Sequence, residues 1–241
     1  VIHGSRDPRP QQALQQLLPK IQPHLSAGTQ IAGGSLECAD LPLAEQLIAF
    51  AQQVVSANSP TELWLVPLFL LPGVHVRVDL PAAVAAAIPQ LPEHLTLKIT
   101  PHLGAHPGLA QLIDRQWQPD TVETSTRILL SHGSRRPEGN QAIAELATRL
   151  RAQPAYWSTS PDLGTVVAEQ GSAVQQISIF PYFLFPGSVM DAIMQKIEQL
   201  RYQYPQLEFC LAPPLQVTDQ LVTLVCDLAP LPQPISQGVC P

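Results

Sequence analysis

Charge is scarce in this chain: only 13% of its 241 residues are charged, with 13 lysines and arginines against 19 aspartates and glutamates, giving a net charge of -6. It therefore lacks the basic face needed to neutralise phosphate backbones, which excludes a general nucleic-acid binder. Cysteine is sparse as well. Cys38, Cys210, Cys226 and Cys240 form no CxxC pair and no zinc-finger spacing, so neither a disulfide framework nor an iron-sulfur cluster is expected. No apolar run reaches the roughly 18 residues that cross a bilayer, and no signal-peptide pattern opens the chain. Together these absences lead us to expect a soluble protein of the reducing cytoplasm or a plastid-like equivalent. Several catalytic signatures are missing too. Without a G-x-S-x-G elbow, a GxGxxG or Walker loop, or the glutamate of HExxH, serine-hydrolase, nucleotide-binding and zincin readings have little support.

What the chain does have is an internal repeat. HGSR at His3 to Arg6 recurs at His132 to Arg135, each time after a strand-like run and before a helix-like one. PLFLLPG from Pro67 recurs as PYFLFPG from Pro181, and LTLKITPHL from Leu95 as LEFCLAPPL from Leu207. The offsets are 129, 114 and 112 residues, in order along the chain. Between these strands, Leu14, Leu17, Leu18 and Ile21 share a helical face, as do Leu43, Leu47, Ile48, Ala51 and Val55, and later Ile193, Ile197 and Leu200. Each copy thus reads βαβαβαβα. Short apolar strands alternating with amphipathic helices predict an α/β fold of two similar lobes related by a pseudo-twofold repeat, each a parallel four-stranded sheet flanked by helices. We place the first lobe at residues 1–120, the second at 126–228 and a proline-rich, extended or disordered tail at 229–241. The boundary falls in the polar stretch from Pro119 to Thr126. The first copy opens abruptly at Val1-Ile2-His3, whereas the second has a lead-in from Thr126 to Ser131, so native residues before Val1 are expected.

In open parallel sheets ligands bind beyond the carboxyl ends of the strands. His3 ends the first strand, Glu37 ends the expected second and His75 follows the third. Neighbouring strands lie about 4.8 Å apart, so such side chains can converge on one ion. Two imidazoles and a carboxylate make an open shell for a divalent transition metal. A histidine at a strand end also serves as an ordinary structural residue. Asymmetry between the copies separates the two readings: on the repeat register His3 pairs with His132, but His75 falls opposite Val189 and Glu37 roughly opposite Trp157. The polar set is complete in the first copy alone. Arg6, Arg9 and Arg77 lie near it in sequence, with Arg135 and Arg136 in the matching loop of the second copy. Arginine pairs with carboxylates through two hydrogen bonds, so this rim suits a polycarboxylate ligand, and surface charge or loop anchoring is the alternative. His102 and His106 have i,i+4 spacing, but Pro107 disfavours a continuous helix through them. His24 and His94 are expected in solvent.

HGSRDP at His3, the LECAD stretch around Glu37, VPLFLLPGVHVRVDLP from Val66 to Pro81 and LGAHPGL from Leu103 resemble the CbiX/SirB family of class II tetrapyrrole chelatases. The likeness spans the first copy in order and the second more loosely. It implies a two-lobed fold with the ligand between the lobes, and insertion of Fe2+ or Co2+ into sirohydrochlorin, a macrocycle with eight carboxylates, for siroheme or cobalamin synthesis. It further implies metal-binding and catalytic roles for His3 and His75 and a catalytic role for Glu37, with Ser5, Arg6, Arg9, Arg77 and Arg135 on the substrate. ECAD replaces the commoner ELAEP pattern, which keeps Glu37 and leaves Asp40 without a counterpart. No tightly bound cofactor is expected, only the metal as substrate; neither nucleic acid nor membrane is an expected partner, and a monomer is compatible with two fused copies. The rival readings are a metal or tetrapyrrole carrier without turnover, and a structural protein with no metal affinity.

Overall fold

The computed structural model describes residues 1–54, 61–117, 125–136, 138–170 and 174–229. Helix α1 (Pro8–Ile21) starts where the sequence provides both a cap and a preset backbone: the Asp7 carboxylate accepts the Arg9 N–H at 3.0 Å and Pro8 takes the first helical position. Its apolar stripe, Ala13, Leu14, Leu17 and Ile21, is buried. Helix α2 (Leu43–Val54) follows, then strand β1 (Thr61–Leu65), helix α3 (Leu80–Ala87), strand β2 (Leu95–Ile99) and helix α4 (Leu109–Gln116). The second copy gives β3 (Ser125–Ser131), α5 (Gln141–Arg149), β4 (Gln153–Tyr156), α6 (Leu163–Glu169), β5 (Gln176–Pro181), α7 (Ser188–Gln203), β6 (Glu208–Leu211) and α8 (Asp219–Leu228). The alternation expected from the sequence is complete in the second copy. Among the described residues no helix is long and apolar enough to cross a membrane.

The second copy forms the expected parallel four-stranded sheet, in the order β4-β3-β5-β6. Its core joins Ile128, Leu130, Ile177 and Ile179 to Ile193 and Ile197 of α7. The first copy departs from expectation, because only β1 and β2 form a regular parallel pair. Its first two strands are reduced to one parallel bridge between Ile2 and Ser35. The order is still that of the second copy, since Val1 donates to the Val66 carbonyl at 2.8 Å while the Val1 carbonyl accepts from Leu68. The reason is local: the chain turns at Gly4, and Gly33-Gly34 precede Ser35 with no side chains to pack across a strand.

The compact units do not coincide with the sequence copies. One comprises Val1–His106 with Val217–Pro241, the other Pro107–Gln216. Helix α4, read as the end of the first copy, therefore packs within the second unit, where Trp117 is buried and its indole N–H donates to Ser178 Oγ at 2.7 Å. Helix α8, the end of the second copy, packs within the first. Lys20 on α1 reaches Asp219 at 2.9 Å, and His106 lies 3.7 Å from Asp227. Helix α8 ends at Leu228, where the proline-rich stretch begins. The rest of that stretch from Pro230, and most of the Pro119 to Thr126 linker, lie outside the described residues.

Candidate metal centre

The HGSR turn is built alike in both copies. Gly4 and Gly133 take φ of +96° and +84°, a region closed to side chains other than at a strain cost. Ser5 Oγ accepts the Asp7 N–H at 3.0 Å, and Ser134 Oγ accepts the Arg136 N–H at 3.1 Å. Glu37 N–H donates to the His3 carbonyl at 2.8 Å, as Ser158 N–H does to that of His132 at 2.9 Å. The structural partner of Glu37 is thus Ser158, one residue beyond the Trp157 of the sequence register. Gly and Ser of this motif are therefore architectural in both copies.

Contact between the first two strand ends is tight at Gly4, where an added Cβ would lie 1.8 Å from the Glu37 carbonyl oxygen. At Gly133 the nearest atom is the Thr159 hydroxyl at 2.6 Å, the movable end of a side chain. Gly4→Ala should accordingly destabilise the protein by about 2–4 kcal/mol, from left-handed strain and backbone overlap, and Gly133→Ala by less. Urea midpoints of the two variants check the order.

His75 comes from a different device. Residues His75–Asp79 form a single π-helical turn that runs into α3, the Leu80 N–H donating to the His75 carbonyl five residues back. The FLLPG segment ahead of it is held from below: Leu103 N–H donates to Pro67, and both Gly104 N–H and His102 Nδ1 donate to the Phe69 carbonyl. His102 is buried, and loss of hydration pushes its pKa down, so it is a neutral structural tie. It does not share a helix with His106, because a 3-10 turn at Leu103–Ala105 separates them. His24 is exposed, whereas His94 is half-buried.

These elements bring the three sequence-selected residues together. His3 Nε2 lies 3.0 Å from His75 Nε2 and 4.0 Å from Glu37 Oε2, and one ligand atom from each of the three falls within 4.8 Å of the others. The far ring nitrogens decide the tautomers. His3 Nδ1 lies 3.0 Å from the Gly4 carbonyl and His75 Nδ1 2.7 Å from Asp79 Oδ2, and since a carbonyl and a carboxylate only accept, both Nδ1 atoms carry hydrogen. In the neutral rings both Nε2 atoms then keep their lone pairs and face each other across 3.0 Å, a spacing that one bound cation can bridge. With metal–nitrogen bonds of about 2.05 Å, that separation subtends about 94° at the ion, near the right angle of an octahedral site. Glu37 Oε2, 4.0 Å from His3 Nε2, joins them once its side chain moves in. Buried Phe69 stands beside both imidazoles, with centroids 6.3 and 6.2 Å away.

The predicted arginines differ among themselves. Arg6 and Arg77 are exposed, as is Arg135 in the other unit. Arg9 instead grips the Asp7 carboxylate through Nε and Nη2, at 2.6 to 3.1 Å, beside the start of α1. Two contributors escaped the sequence reading. Asp79 was visible as an i,i+4 neighbour of His75 but had no role assigned, and Phe69 was hidden because Phe183 repeats it. A cavity of about 380 Å³ lies elsewhere in the same unit, walled by Leu14, Leu17, Leu47, Leu65 and Val225. None of His3, Glu37 and His75 lines it, and its walls are mostly apolar.

Known proteins share this framework. The sirohydrochlorin ferrochelatase of Priestia megaterium is 26% identical over 213 residues, covering 83% of this chain and 77% of that one. The sirohydrochlorin cobaltochelatase of the same organism is 23% identical over 171 residues, 65% of this chain, and the match spans only 56% of that longer protein. Among solved structures, SirB from Bacillus subtilis with Fe3+ superposes with a TM-score of 0.77 at 19% identity, covering 94% of this chain and 91% of that one. SirB from Bacillus subtilis subspecies spizizenii in complex with cobalt gives 0.73 at 20% identity, covering 94% and 90%. The fold is therefore that of the sirohydrochlorin chelatases. The CbiX family model matches residues 1–119 and again 126–229, and with both copies of the repeat accounted for, the chain belongs to the CbiX family.

Proposed function

We propose that this chain is a sirohydrochlorin chelatase that inserts Fe2+ or Co2+ into the macrocycle, with the metal held by His3 and His75. The facing pair of Nε2 atoms 3.0 Å apart carries the proposal, because in the neutral rings each keeps a lone pair while its own Nδ1 is hydrogen-bonded. Family membership and the chelatase relatives support the same reading. Two imidazoles and one carboxylate leave half of an octahedral shell open, so the ion can pass to the four ring nitrogens without first losing every protein ligand.

Metallation releases two inner N–H protons, and acceptors must lie near the ring centre. As the metal leaves, His3 and His75 regain basic Nε2 atoms, and Glu37, about half exposed beside them, offers a third acceptor. Asp79, 2.7 Å from Nδ1, holds the His75 ring in the useful tautomer. Exposed Arg6 and Arg77 suit the peripheral carboxylates, with the Ser5 region at the rim; gripping the ring at its edge supplies proximity. Arg9, already paired with Asp7, contributes by shaping the turn that presents Arg6. Imidazole and carboxylate accept both ions, so either serves as metal substrate.

The test is absorbance-monitored metallation of sirohydrochlorin by Fe2+ and by Co2+, with protein at about one hundredth of the macrocycle. Many turnovers per chain, well above the spontaneous rate, are expected. Uptake that stops at one equivalent would instead identify a carrier.

A further inference from the structure

The loop that carries Glu37 has an unusual fastening. The side-chain amide of Gln46, on the first turns of α2, accepts the Ser35 N–H at 3.1 Å and donates to the Ser35 carbonyl at 2.9 Å and the Leu41 carbonyl at 2.7 Å. One amide group thus closes the loop from Ser35 to Leu41 across its neck. Ser35 Oγ is also held, 3.0 Å from Gln11 Oε1 on α1. Inside the loop, Cys38 has a φ of 56°, a left-handed conformation that a non-glycine residue keeps only when its surroundings enforce it.

The second copy does without this fastening. Tyr156 stands where Ser35 does, two residues before the residue bonded to the histidine carbonyl, and its N–H goes to the Pro161 carbonyl at 2.9 Å in a parallel bridge. Its loop closes with its own backbone, and the position matching Gln46, three residues into α6, is buried Val166. That copy has Ser158 where the first has Glu37. The amide clip and the carboxylate are therefore found in the same copy, and the clip replaces a backbone bridge that would pull the loop flat against the sheet.

We propose that Gln46 is a positioning residue that sets the Glu37 carboxylate toward His3 and His75, acting through the Ser35 to Leu41 loop. This rests on the metal-site reading given above. Holding a ligand from outside the coordination sphere is typically worth about 10–100-fold in metal affinity. Methionine has nearly the length of glutamine and no amide, so Gln46→Met removes the clip while keeping the packing.

The experiment is Co2+ titration of the full chain, followed by the visible d–d bands, for wild type, Gln46→Met, Glu37→Gln, the double variant and His75→Ala, with circular dichroism and thermal midpoints run in parallel. Gln46→Met should weaken Co2+ about 10-fold and alter the band pattern with the circular dichroism spectrum retained. In the Glu37→Gln background the same change should have no further effect on affinity. Independent, multiplying losses in the double variant would overturn the proposal, as would an unchanged affinity in Gln46→Met. If Gln46→Met loses its fold, Leu41→Pro provides the second variant: it keeps Gln46 and its bonds to Ser35 but strains the loop neck, and unchanged Co2+ affinity there would also overturn the proposal. Undiminished binding in both His75→Ala and Glu37→Gln would instead remove the metal-site reading itself, a result distinct from failure at Gln46 alone.

Discussion

His75→Ala should lower the rate of sirohydrochlorin metallation by about 10²–10⁴-fold, and His3→Ala by a similar factor, while His132→Ala stays within a few-fold of wild type. The magnitude follows from what the imidazole supplies: one of two nitrogen ligands, and a proton acceptor at the ring centre, a role worth about 10²–10⁴-fold where measured. Neither loss can be made good by the partner nitrogen, because the pair acts through its 3.0 Å separation. His132 lacks that partnership, with Val189 and Ser158 in the places of His75 and Glu37. Initial rates at fixed Co2+ and macrocycle, normalised to folded protein, check the order of the three variants. Full activity in both His3→Ala and His75→Ala would remove the assignment, and loss in His132→Ala alone would move the chemistry to the other copy.

A chain cut after Trp117 should fail to give a folded first lobe, although it contains one whole sequence copy. It lacks α8, which buries Leu221, Val222, Leu224 and Val225. At about 1.5–3 kcal/mol for each side chain, their loss removes roughly 6–12 kcal/mol, comparable with the entire stability of about 5–15 kcal/mol typical of a domain. The same fragment keeps α4, whose Leu112, Ile113 and Trp117 belong in the core of the other unit and would be left in water. Joining 1–106 to 217–229 through a flexible Gly-Ser linker should restore cooperative unfolding. Urea denaturation followed by far-UV circular dichroism distinguishes the two designs, and a cooperative transition in the 1–117 fragment would count against the assignment of α8 to the first unit.

Much of this molecule was readable from one sequence because two copies could be compared. The shared HGSR and the PLFLLPG pair placed strand ends, and the asymmetry at Glu37 and His75 selected three residues that do converge. Periodicity found α1, α2 and α7 because their buried residues recur at 3.6-residue spacing. It could not assign α4 and α8 to their units, since an amphipathic stripe records that a helix is buried and not against which sheet. The roles of Gln46 and Asp79 were illegible for a related reason. Each acts through a side-chain hydrogen bond whose partner is set by a turn, and neither π-helical nor left-handed backbone has a strong pattern in sequence. Arg9 shows the converse, a residue of suitable chemistry whose fork is already filled by the neighbouring Asp7.

The wide turn at His75–Asp79 has one more consequence, in helical phase. A π turn holds one residue more than an α turn, so everything before it is rotated by about 100° relative to the helix that follows. In the second copy the matching segment is plain α-helix from Ser188, with Val189 at the position of His75 and buried Ile193 at that of Leu80. A single inserted residue is therefore enough to separate a face that packs from a face that presents an imidazole. Deleting Val78, which is 55% exposed, should return the turn to α geometry and swing His75 out of register with His3 while leaving α3 seated, so that the metal chemistry is lost at little cost to the fold.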